Sequence, residues 1–133
     1  MPPLLLGLIS IWFAVICGIL QGAVLGLFFH QADWLGGYAG WRRRLLRLGH
    51  IAWFGIALLH GLALLSLQSF DLSIPLLLPI CGIVANLGMP LVCLLAAWRQ
   101  PWRHAFVLPV VATLALAGIT LWELLTCVSP ASP

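Results

Sequence analysis

The chain has 133 residues, 63% hydrophobic and only 7% charged, with a mean hydropathy of +1.14. A soluble domain carries about 25% charged residues, so water is excluded as the main solvent. The net charge of +3 comes from arginine without lysine, all of it between Arg42 and Arg47 or between Arg99 and Arg103. Confined to connectors between apolar runs, it reads as a topology signal and not as a nucleic-acid footprint. The length suits a single domain.

The first apolar run, 4–29, is interrupted only by Ser10 and Gln21. No basic n-region precedes it and no small-residue cleavage site follows it, so it is expected to be a retained span. Ala14, Gly18, Gly22 and Gly26 recur every four residues and predict a flat helix-packing face. The occupant of that face, another helix of this chain or another subunit, is left open by the spacing. His30 ends the run.

The first connector is read as an interfacial amphipathic segment over 33–47. Asp33 is a candidate cap, and Trp34, Tyr38, Trp41, Leu45 and Leu48 recur at helical spacing. Arg42, Arg43, Arg44 and Arg47 lie largely off that stripe and are expected, with Trp34 and Trp41, to contact anionic lipid headgroups. A second span, 48–67, starts near His50 and holds His60 inside. A short connector, 68–71, leads to a third span, 74–98, which contains Asn86 and a predicted kink at Pro90. Trp98, Arg99, Trp102, Arg103 and His104 make a second headgroup-facing connector. The fourth span, 105–128, carries Pro109 early and Glu123 late.

The expected architecture is therefore an all-α integral membrane bundle of four transmembrane helices. The positive-inside rule puts both arginine connectors in the cytoplasm of a bacterial inner membrane and both termini outside, N-out and C-out. Trp34, Tyr38, Trp41, Trp98 and Trp102 would form the cytoplasmic aromatic belt, with Trp122 and Phe70 near the outer one.

Two constellations bear on chemistry. His30, His50 and His104 share the cytoplasmic depth, and two imidazoles there could ligate a b-type haem or help hold a metal ion. The plainer reading is interfacial histidines accompanying arginines. Gln21, His60, Asn86 and Glu123 put one polar residue in each span; facing inward, they would form a broken polar track. A proton relay is the sharp version, and interhelical hydrogen-bond glue the favoured one. Cys17, Cys81, Cys93 and Cys127 are scattered singly and read as apolar packing residues.

No Walker loop, GxGxxG, HExxH or GxSxG is present, and the acidic residues are only Asp33, Asp71 and Glu123. A self-contained hydrolase or phosphoryl-transfer enzyme is disfavoured. The expected role is an accessory subunit of a larger membrane complex, a bioenergetic electron-transfer one foremost, with lipids and other membrane subunits as partners. A haem-binding electron carrier and a small transporter or proton-conducting oligomer are the alternatives.

Overall fold

The structure is a computed structural model and describes residues 1–128. It is a four-helix bundle: α1 Pro3–Leu27, α2 Trp41–Ser69, α3 Leu77–Trp98 and α4 Val107–Val128, with a 3-10 segment, Gln100–Phe106, leading into α4. All four helices are long and apolar enough to cross a membrane. At about 1.5 Å per residue, even the 22-residue α3 is about 33 Å long, against a hydrocarbon core of about 30 Å.

Prolines help place the ends. Pro3 opens α1, and Pro79 and Pro109 sit in the first turns of α3 and α4, where no intrahelical N–H is lost. Pro75 delays α3 to Leu77, later than the expected Ile74. Among the described residues, Pro90 alone lies in a helix interior, and α3 continues through it to Trp98.

The larger departure is at α2, which begins at Trp41 and not near Leu48. The expected segment 33–47 is thus no independent helix. Its first part is a chain of turns, with Leu35, Gly36 and Gly37 at φ of 56°, 84° and 80°. Left-handed backbone of that kind interrupts a helix, and glycine takes it without strain. Asp33 caps nothing; its carbonyl accepts the Gly36 N–H at 3.1 Å. Residues 41–47 are the first turns of α2, so Arg42, Arg43, Arg44 and Arg47 stand on a rigid helix.

Helices α2 and α3 pack against each other. Helix α1 packs on both, α4 packs on both, and the backbones of α1 and α4 do not approach each other closely. The cross-section is a rhombus with α2 and α3 on its short diagonal. Its core has one apolar layer at each end and one between them. Leu64, Leu67, Leu78 and Leu116 fill one end; Ile56, Ala85 and Ala112 lie between; Leu45, Leu46, Ala96 and Ala97 fill the other. Trp41 Nε1 donates to the Ala96 carbonyl at 3.3 Å, tying the start of α2 to the end of α3. The arginines of both connectors therefore stand at one end of the bundle. Without a hydrophobic drive between helices in lipid, such contacts rest on close backbone approach and hydrogen bonds.

Candidate functional site

Three of the polar residues inside the spans are explained by two interhelical networks. Near mid-bundle, Asn86 Nδ2 of α3 donates to Ser10 Oγ of α1 at 2.9 Å and lies 3.3 Å from His60 Nδ1 of α2. Reversing the Asn86 amide would serve the same contacts, with Ser10 and a His60 Nδ1–H as donors. All three residues are buried. Room for the imidazole comes from two glycines. A Cβ on Gly82 would collide with the His60 ring, and one on Gly7 would lie 3.2 Å from Nε2. This is a three-helix staple, one polar group from each of α1, α2 and α3. Among the described residues, Asn86 Oδ1 and His60 Nε2 have no hydrogen-bond partner.

The second network joins α1 to α2. Gln21 Nε2 donates to the Leu46 carbonyl at 3.0 Å, and its Oε1 accepts from Trp53 Nε1 at 2.8 Å. Gln21 therefore does not reach the His60 staple. Nor does Glu123, which lines a shallow surface pocket with Trp122, Gly118 and Pro75 towards the other end of the bundle. The expected four-residue track reduces to one contact, His60 with Asn86.

The glycine stripe of α1 turns inward, and its partner is α2. A Cβ at Gly18 would press on Phe54 and Trp53, and one at Gly22 would come 2.6 Å from His50 Cε1. Ala14 is fully buried. At Gly26 the stripe opens: a Cβ there would meet nothing within 4 Å.

That opening is the edge of a cavity of about 290 Å³ at the arginine end, between α1 and α2. Leu25, Phe29, Trp34 and Ile51 supply apolar walls; Arg43, Arg47 and His50 supply the polar ones. Arg43, expected at the headgroups, is instead buried at 4% exposure. Its guanidinium donates to the carbonyls of Phe29, Gln31 and Ala32, each at 3.3 Å, and lies over the Phe29, Trp34 and Tyr38 rings at 5.5–5.8 Å. The reason is local. The turns after α1 present a run of carbonyls at the negative end of its dipole, and a planar fork of donors satisfies several at once. Arg47 donates to the Tyr38 carbonyl at 3.1 Å and lies 4.1 Å from the Tyr38 ring centre. Arg42, Arg44, Arg99, Arg103, Trp41, Trp98 and Trp102 are exposed, and Trp34 is half-buried against Phe28.

The three histidines expected to share one depth are dispersed. His30 is exposed in the turns after α1. His50 is half-buried against Gly22, edge-on to Phe54, and its cavity contains no second histidine. His104 is exposed on the 3-10 segment, which packs on α3 and α4 and not on α2. Among the described residues, no group of three or more His, Cys, Asp or Glu side chains is placed to hold a metal ion.

Sequence reasoning gave no role to Gly7, Ser10, Gly82 or Trp53 and missed the burial of Arg43. The first three carried a usable signal: Gly7 with Ser10, and Gly82 with Asn86, stand three and four residues apart, on common helix faces. No protein-family model matches the chain, nor does any curated protein or solved structure.

Proposed function

We propose that this chain is an accessory subunit, without catalysis of its own, of a larger complex in a bacterial inner membrane. The observation that carries this is a pair of lateral grooves. Because the backbones of α1 and α4 stay apart, a ridge of α2 stays uncovered, with Leu58, Leu62 and Leu65 all more than half exposed. One groove, about 440 Å³, runs beside Ile11, Ala57 and Gly61; the other, about 230 Å³, runs beside Ala63, Ala117 and Thr120. Both reach Leu62. Grooves floored by small residues are what membrane helices dock into. The α1 stripe faces inward and is closed by α2 at Gly18 and Gly22, so it is not the docking face.

The arginine end faces the cytoplasm in this reading, which leaves both termini outside. With so little mass outside the spans, the proportions are those of small subunits of bioenergetic complexes. An electron-transfer complex is the assembly to test first. The test is purification from native membranes in mild detergent, with an absorbance spectrum and identification of what co-elutes. The expected result is a fixed ratio to other membrane subunits, lost in Leu62→Trp while the thermal stability of the chain is kept. A chain that elutes alone even after cross-linking would overturn the proposal. A Soret band abolished by His50→Ala would replace it with the haem-carrier reading.

A further inference from the structure

We propose that the cleft between α1 and α2 at the arginine end holds the phosphate of one anionic phospholipid, with its acyl chains leaving along the outer face of the bundle. This goes beyond the subunit reading and stands whether or not a partner exists. It also differs from diffuse headgroup contact by exposed arginines, because it names one built site.

At about 290 Å³, the cavity lies at the low end of the roughly 300–1,000 Å³ typical of small-molecule sites. That suits a headgroup, with the tails outside. Its rim has the exposed residues Gly26, Phe29 and Ile51, so it opens sideways, towards where lipid would lie. Gly26 keeps that rim clear, since a side chain there would project into open space.

Among the described residues, neither Arg47 Nε, a donor, nor His50 Nδ1, whose role depends on the ring tautomer, has a hydrogen-bond partner; both atoms are buried, and both residues line the cavity. A buried donor without a partner is costly, and an anionic oxygen is the acceptor that repays it best. Arg42, Arg43, Arg44 and Arg47 crowd the N-terminal end of α2, where the helix dipole is also positive. The hydrogen bonds made by Arg43, Arg44 and Arg47 all go to neutral backbone carbonyls. A phosphate diester on the cleft offsets that repulsion. A neutral quinone would fit the apolar walls but leave the charge uncompensated.

The test uses the full chain in nanodiscs of phosphatidylcholine containing a minor fraction of phosphatidylglycerol, with native mass spectrometry to count retained lipids and a thermal melt beside it. One phosphatidylglycerol is expected to stay bound and to raise the melting temperature. Arg47→Gln should weaken retention about tenfold, the loss of one charge-assisted hydrogen bond. Gly26→Leu should abolish retention by filling the rim, while the melt in pure phosphatidylcholine stays at the wild-type value. Arg103→Gln, on the other connector, should leave retention unchanged. Inorganic phosphate, supplied without acyl chains, should not reproduce the stabilisation; if it does, the lipid assignment is wrong. Equal retention of phosphatidylcholine and phosphatidylglycerol, or a Gly26→Leu protein that binds like wild type, would also overturn the proposal.

Discussion

The backbone of Gly82 on α3 lies so close to the His60 ring on α2 that a Cβ on Gly82 would collide with the imidazole. A glycine is required here by packing, since its φ is an ordinary helical one. Gly82→Ala should therefore destabilise the bundle by about 1–3 kcal/mol, the usual cost of overpacking a filled site. Adding His60→Ala should relieve much of that cost. A double-mutant cycle in detergent, read by thermal or denaturant unfolding, would show this as non-additivity. Additive effects would mean the two residues are not the pair that clashes.

Asn86 joins three helices, so its loss should cost more than the loss of either neighbour. Intramembrane hydrogen bonds are worth about 0.6 kcal/mol on average and about 1.7 at most. Asn86→Leu keeps the branched heavy-atom shape but leaves both Ser10 and His60 without their partner, and should cost at least the upper figure. Ser10→Ala removes one bond and should fall near the lower. If Asn86→Leu were as stable as the natural chain, the staple would be incidental.

The spans were legible because an apolar run of about 20 residues has few other solutions. The gathering of arginines at one end followed from the same pattern, once the helices alternate in direction. What remained hidden was rotational phase. Ser10 and Asn86 each share a helix face with a glycine, but the spacing does not say that those faces and His60 turn towards one axis while Glu123 turns to the surface. The α1 stripe was readable as a packing face, but its partner depends on the turns between α1 and α2. Those turns also decide Arg43: its acceptors are the carbonyls of Phe29, Gln31 and Ala32, which side-chain patterning does not report.

Within the stripe, Gly22 and Gly26 should behave in opposite ways. Gly22 faces His50 across a gap too small for a methyl group, whereas Gly26 faces nothing. Gly22→Leu should cost about 1–3 kcal/mol, and His50→Ala should rescue part of it. Gly26→Leu should change stability by no more than about 0.5 kcal/mol in lipid without anionic headgroups. Equal destabilisation by both would show that the stripe is closed along its whole length.

Orientation can be read from a natural reporter. Cys127, near the end of α4, is exposed, whereas Cys81 and Cys93 are buried. With both termini outside, a membrane-impermeant maleimide added to spheroplasts should label Cys127. An Ala39→Cys substitution in a Cys127→Ser background should label only after permeabilisation. The reverse pattern would invert the topology and with it the placement of the arginine end.

Arg43 should be the arginine that matters most for folding, although neighbouring positions look alike in sequence. Its guanidinium satisfies three carbonyls of the turns after α1 while almost fully buried. Lysine keeps the charge but is a point donor without the planar fork, and burying it beside unfilled acceptors is unfavourable. Arg43→Lys should cost about 1.5–3 kcal/mol, the scale of hydrogen bonds to a charged group. It should also open residues 28–40 to limited proteolysis. Arg42→Lys, on the exposed side of the same turn, should stay within about 0.5 kcal/mol and leave proteolysis unchanged. Matching effects from the two substitutions would mean that charge at this end, and not the fork on those carbonyls, holds the turns in place.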